Sequence, residues 1–448
     1  AVRSQRVGVG TIAALAVCYA MAGLSKEAAF VMPALLLATD LELLSGAKRG
    51  ELRRFVGLRL PTFATLAVVL ALLFVARWAV LGSVVGSAPA RIFALDDSFS
   101  TRLFTMARVW PRYLELLLFP LDLSADYSPA VVLPASGLTP MGAVGFCLLL
   151  VAAGAAVAAF RRAPDLTLAL AWLAVTLLPV SNLLFTAETV LGERRLYLPS
   201  VAVSLAAALL MARARGGHRR WLAVAVGAWV VFFSVITVQR NPVWRSTDTV
   251  FADLLQKHPE SSRALFALGL RHHELGHAAE ARVWLDRSLE VWPWYAPYLV
   301  RYAIVLAEQG EFALAAERAR AAIELDPGRI DHHKLLVSIL LLDGQPAAAL
   351  AAIQAASRVV EPDASLYTQE SDARFRLGDV EGAVRAQEAA MGAGRNDWRA
   401  WLRLAQFRAA LGDTAGALEA LQTGRRLPDG EVAVADSLEA IWTAAAPR

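Results

Sequence analysis

Cysteine is nearly absent: the 448 residues hold two, Cys18 and Cys147, and both fall inside apolar runs. Neither a disulfide framework nor a thiolate metal site can be built from them. Charge is missing from whole stretches of the first half, whereas the C-terminal part is rich in Arg, Glu and Asp. A net charge of +4 would suit nucleic acid in a soluble protein. Here the arginines flank uncharged runs, where they read as topology signals, and nucleic acid is excluded as a partner. An initiating methionine is lacking too. Val7 to Ser25, behind Arg3 and Arg6, mimics a signal peptide, but Lys26 and Glu27 stand where a small-residue cleavage site belongs. The run reads as a retained span, in a protein expected to begin upstream of Ala1.

What is present first is a series of apolar runs. A bilayer span needs about 20 residues. Val7 to Ser25, Leu60 to Ala76, Met141 to Phe160, Leu166 to Ala187, Leu196 to Ala212 and Trp221 to Val238 are the clear candidates. Ala28 to Leu44 is a seventh, interrupted near one end by Asp40 and Glu42. Residues 1–240 are therefore expected to form a polytopic membrane domain with a long outer loop at 82–140. Within residues 101–119, Arg102, Thr105, Arg108, Arg112 and Glu115 recur at three and four and make one polar stripe on a helix. Such a helix lies in the interface plane or lines a cavity more readily than it crosses alone. If it does not cross, Arg3 and Arg6, then Lys48, Arg49, Arg53, Arg54 and Arg59, then Arg161 and Arg162, then Arg213, Arg215, Arg219 and Arg220 all fall on the cytoplasmic side, and the residues after 240 lie outside. If it crosses, the later clusters move outside, against the positive-inside rule.

The second half repeats itself. Gly276, Gly310, Gly344, Gly378 and Gly412 stand 34 residues apart, and Ala281, Ala315, Ala349, Ala383 and Ala417 keep the same step. Pro259, Pro293 and Pro327 share it, with Pro362 one residue late. Gly269, Ala303, Val337, Ser371 and Ala405 occupy a slot for close helix contact, Val337 imperfectly. A 34-residue helix-turn-helix period is that of the tetratricopeptide repeat, whose units stack into a solenoid that holds a peptide or protein. Residues 241–261 are expected to be a connecting helix, 262–431 five repeats, and 432–448 a cap or tail. Arg301 and Gln406 on first helices are the candidate acceptor-binding positions. Tyr298, Tyr302 and Trp401 read as core at repeat spacing, and His332 and His333, opening a repeat, as surface residues. His273-Glu274-Leu275-Gly276-His277 copies a zinc-protease pattern that needs both histidines on one continuous helix. Gly276 falls on the turn, so no metal site is expected there.

On this topology Lys26 and Glu27, Arg91, Asp96 and Asp97, Asp122 and Asp126, and Glu188, Glu193, Arg194 and Arg195 gather at the outer face. They are either solvated helix ends and ion pairs, or a polar cavity in which arginines hold a phosphate and acids handle a hydroxyl proton.

Leu178-Pro179-Val180-Ser181-Asn182-Leu183, followed by Gly192-Glu193-Arg194-Arg195-Leu196-Tyr197-Leu198-Pro199-Ser200, resembles the transmembrane and tetratricopeptide-repeat family of protein O-mannosyltransferases. Leu24-Ser25-Lys26-Glu27, Asp96-Asp97-Ser98-Phe99 with Thr101-Arg102, Leu123-Ser124-Ala125-Asp126-Tyr127 and Asn241-Pro242-Val243-Trp244 resemble further parts of it. The resemblance spans essentially the whole chain. It implies an all-α protein: a membrane helix bundle of the C-type glycosyltransferase kind followed by a tetratricopeptide α-solenoid outside the cytoplasm, in a bacterium at the inner membrane. It also implies a polyprenyl-phosphate sugar as donor, mannose by analogy, and a protein hydroxyl as acceptor. Arg102, Arg194 and Arg195 would serve the lipid phosphate, Glu193 would orient an arginine or bind the sugar, and Lys26 and Glu27 would close the cavity. Asp96, Asp97 and Asp126 are the outer-loop acids. The family pattern has Ala at the place of Gly192 and Asn-Pro at that of Asp97 and Ser98. The acid that usually serves as base in C-type enzymes is expected, on this resemblance, upstream of Ala1, so the catalytic residue is not assigned. No cofactor is fixed, and a divalent metal stays open. A non-catalytic membrane scaffold that gathers partners on its repeats is the alternative. A surface-polysaccharide polymerase or ligase shares the membrane chemistry but explains the repeats less directly.

Overall fold

The computed structural model describes residues 7–43, 49–81, 98–128, 130–183, 189–394, 396–428 and 431–445. It is helical throughout, and the chain divides into two compact units. One comprises residues 1–270 with 286–292, the other 271–285 with 293–448.

The first unit carries α1 (Val9–Ser25), α2 (Met32–Leu43), α3 (Arg49–Leu81), α4 (Phe99–Leu118), α5 (Pro140–Arg162), α6 (Pro164–Leu177), α7 (Tyr197–Arg213), α8 (Gly217–Arg240) and α9 (Thr247–Lys257). Among the described residues, four helical segments are long and apolar enough to cross a bilayer: Phe55–Val80, Pro140–Phe160, Glu193–Arg213 and Gly217–Arg245. Three of the seven expected spans are shorter. Helix α1 has 17 residues, and α2 has 12, about 18 Å at 1.5 Å per residue. The run expected to continue from Leu166 to Ala187 stops at Leu177. Pro179 cannot continue the hydrogen-bond ladder, so the chain tightens into a 3-10 turn at Leu178–Val180 and leaves it through Asn182 at φ +54°. The expected helix at 241–261 is instead a 3-10 turn, Asn241–Arg245, followed by α9.

The 34-residue glycines do what their spacing implies. The first helix of each repeat, α10 (Ser262–Glu274), α12 (Ala296–Glu308), α14 (Ile330–Leu342), α16 (Ala364–Arg376) and α18 (Trp398–Ala410), is followed by its glycine. The second helices are α11 (Ala278–Val291), α13 (Phe312–Leu325), α15 (Pro346–Ala356), α17 (Val380–Gly392) and α19 (Thr414–Arg425), and α20 (Val432–Ala445) caps the array. All five glycines sit at φ between +70° and +83°, a left-handed conformation that a side chain disfavours. The slot residues Gly269, Ala303, Val337, Ser371 and Ala405 are all buried, as are the five second-helix alanines. A β-carbon on Gly310 would meet no neighbour, so only backbone strain opposes one. Gly310→Ala is therefore expected to destabilise the repeats by about 1–2 kcal/mol, seen as a melting temperature lowered by roughly 2–6 °C. An unchanged thermal transition would show that the turn tolerates either hand.

His332 and His333 are not surface residues. Both are buried, because this edge of α14 packs inward: the His333 Nε2–H donates to Pro327 O at 2.8 Å, and burial holds the His332 imidazole below its usual pKa. Tyr302 is buried, and Tyr298 and Trp401 are half-buried. His277 lies past Gly276, off the helix that carries His273, whose Nε2 faces Glu308 Oε2 at 2.8 Å.

Candidate functional site: the loop around Glu193

Helix α4 starts with Ser98, whose hydroxyl accepts the Thr101 N–H at 3.2 Å. Its apolar edge, Met106, Val109, Tyr113, Leu116 and Leu117, packs on Tyr127, Val190, Leu191 and Leu196. On another edge it meets α5 at close range, with Gly145 against the Ala107 backbone. The polar stripe read from the sequence is spent on loop carbonyls. Arg102 donates to Leu183 O at 3.4 Å, Arg108 to Leu133 O, and Arg112 to Asp122 O and Glu115. Thr105 is buried and accepts the Ala135 N–H at 2.8 Å. Thr105, Arg108 and Arg112 therefore fasten the segment that returns from α4 to α5, and Arg102 the turn that follows α6. Arg102, expected at a donor phosphate, is engaged in this way.

The two sequence motifs meet here. Asn182, tolerant of the left-handed backbone, turns its amide inward to donate to Val190 O at 3.0 Å. That bond closes the bend, so the chain returns beneath α4 into the 3-10 turn Glu193–Leu196. Glu193 Oε1 accepts the Ser124 N–H at 2.6 Å and the Tyr127 hydroxyl at 2.7 Å. Burial, and then the Glu193 carboxylate beside it, push the Tyr127 phenol above its usual pKa, so it stays a donor at any physiological pH. Arg195 clips the bend by donating to Thr189 O at 2.9 Å. Arg194 is exposed and makes no ion pair with an acid among the described residues. An alanine methyl at Gly192 would touch Arg195 at 3.7 Å, ordinary contact, so this departure from the family pattern leaves the bend intact.

The structure thus brings Glu193, Arg194, Arg195, Arg102 and Asp126 into one unit, in differing states. Asp126 is 1% exposed, and its carboxylate accepts from the Ser128 N–H at 3.0 Å, the Ser128 hydroxyl at 2.8 Å and the Ser261 hydroxyl at 2.8 Å. It is a closed structural acid, not an open outer-loop one. Lys26 is exposed at the end of α1, and Glu27 opens the 3-10 turn Glu27–Val31. Asp96 and Asp97 lie outside the described residues. Arg301 and Gln406 are exposed on α12 and α18 of the other unit. Sequence reasoning named Thr105 only as a member of the polar stripe and Tyr127 only within a motif, and it did not name Ser261 or Gly145. Only Ser261, standing just before an apolar-periodic helix, carried a recognisable cap signal.

Residues 302–363 and 368–431 match the tetratricopeptide-repeat family model. The chain is similar to the protein O-mannosyl-transferase Tmtc2 of Drosophila melanogaster, 30% identical over 136 residues, which are 30% of this chain and 14% of that protein. It is 27% identical to Tmtc3 of Drosophila melanogaster over 186 residues, 39% of this chain and 20% of that protein. Human TMTC4 is 26% identical over 219 residues, 46% of this chain and 29% of that protein. The matched segments thus span less than a third of these relatives' lengths. Among solved structures, the tetratricopeptide-repeat protein YrrB aligns with 42% of this chain and 97% of its own, at 17% identity and a TM-score of 0.35.

Proposed function

We propose that this chain, TMTC-like in sequence and built of apolar helices followed by tetratricopeptide repeats, is the later part of a membrane glycosyltransferase. The full-length protein would transfer a sugar, mannose by analogy with its relatives, from a polyprenyl-phosphate donor to a protein hydroxyl. The repeats would bind the acceptor outside the cytoplasm. The observation that carries this reading is the bend at 189–196, where Glu193 and Arg195 are engaged in holding the loop and Arg194 is left exposed beside them. An exposed guanidinium at the head of an apolar helix suits a lipid phosphate, which it can hold through two parallel hydrogen bonds. Charge stabilisation of the leaving phosphate, with or without a divalent metal, would then assist displacement by the acceptor hydroxyl.

Transfer from polyprenyl-phosphate mannose to acceptor protein by the purified full-length protein is the direct test. Binding of acceptor without any transfer would favour the scaffold. The sidedness has its own test. A reporter cysteine at Gly344 would strain a left-handed turn, so the label belongs at exposed Gln354. Gln354→Cys is expected to react with an impermeant maleimide in intact spheroplasts. Reaction only after permeabilisation places the repeats in the cytoplasm and removes the acceptor role outside it.

A further inference from the structure

The loop that follows α4 is held from two directions. Towards the bend, Ser124 and Tyr127 donate to Glu193. Towards the start of the repeats, Lys257 Nζ donates to Leu123 O at 2.6 Å and Ser261 Oγ donates to Asp126 Oδ2 at 2.8 Å. Arg263 Nη1 lies 3.8 Å from Asp126 Oδ1. The two sets interleave along five residues: 123 and 126 go one way, 124 and 127 the other.

Both anchors are themselves fixed. Lys257 is paired with Asp253 at 3.2 Å, and Asp253 with Arg240 at 2.7 Å, at the end of α8. Ser261 is the N-cap of α10: its oxygen accepts the Ala264 N–H at 3.2 Å while its proton goes to Asp126. The buried Asp126 carboxylate therefore sits at the N-terminus of a 13-residue helix. Hydrogen bonds of 2.6–2.7 Å to Glu193 fail if the loop shifts by about 1 Å.

We propose that Ser261, with Lys257, is a positioning residue for Glu193: from the first turn of the repeats it holds residues 123–127 so that Ser124 and Tyr127 aim the Glu193 carboxylate. The inference rests on the transferase reading for its consequence in turnover, but not for its geometry. One variant separates the latch from the cap. Ser261→Asp still caps α10 but sets a second carboxylate against Asp126, so it releases the loop and spares the helix.

In the full-length protein, amide hydrogen exchange of residues 122–128 is expected to quicken about tenfold in Ser261→Asp, with residues 264–274 unchanged. Transfer from polyprenyl-phosphate mannose to a peptide should lose about fivefold or more in kcat, with acceptor KM within about twofold. Ser261→Thr, which keeps the hydroxyl, should restore both. Unchanged exchange at 122–128 in both Ser261→Asp and Lys257→Ala overturns the latch. Faster exchange with kcat unaltered overturns the positioning role. A wild-type protein that transfers no sugar sinks the transferase reading instead, while the exchange measurement still decides the latch.

Discussion

Arg194→Lys in the full-length protein is expected to lower turnover of a polyprenyl-phosphate sugar roughly tenfold or more, at an unchanged level of folded protein. The magnitude follows from loss of one charge-assisted pair, about 1.5–3 kcal/mol. Lysine keeps the charge but offers a point contact where guanidinium offers a planar fork. A purely structural role would require Arg194 to fasten its own helix end, and the described residues give it no such partner. Its neighbour supplies the contrast. Arg195 holds Thr189 O, so Arg195→Lys should cost folded protein as well as activity. Donor turnover per folded molecule that equals wild type in Arg194→Lys removes the phosphate role.

The second large effect concerns packing. A β-carbon on Gly145 would lie 1.8 Å from Ala107 O and 2.8 Å from Ala107 C, both backbone atoms of α4. Backbone cannot rotate away as a side chain can, so Gly145→Ala must push α5 off α4. The cost is expected at the top of the overpacking range, about 3 kcal/mol or more. Monodisperse protein recovered in detergent should fall sharply. Trimming the partner should not help, because the clash is with a carbonyl: Ala107→Gly combined with Gly145→Ala is expected to remain defective. Gly154→Ala, on the same helix with no atom near the added carbon, is the matched control and should behave as wild type. Normal yield and melting for Gly145→Ala would mean the two helices do not meet at this point.

Periodicity made the repeat half readable and left the membrane half partly hidden. Five glycines at one step predict five turns because only one residue type reaches φ near +80° without strain, and the structure places each there. Helix ends inside apolar runs are less legible. Leu166 to Ala187 contains no charge, yet Pro179 ends the helix, a local covalent constraint that hydropathy averages away. The polar stripe of α4 was visible as a pattern, but not its purpose, since carbonyls of a distant loop have no sequence signature. The same holds for Asp126, whose burial depends on Ser261, 135 residues away. His332 and His333 were misplaced for a related reason. A polar side chain at a helix start reads as exposed unless the carbonyl that receives it, here Pro327 O, is known.

The Asp126–Ser261 contact also bears on how such an array can change length during evolution. Whole 34-residue units inserted or lost beyond α11 would leave α9, the Ser261 cap and the loop at 123–127 as they are. A single residue added between Lys257 and Ser261 would instead advance the cap relative to the lysine, and the two anchors could no longer reach Leu123 and Asp126 together. Descendants of this chain are thus free to remodel what they recognise by counting in whole repeats. The three residues between those two anchors, 258–260, are a length they must keep.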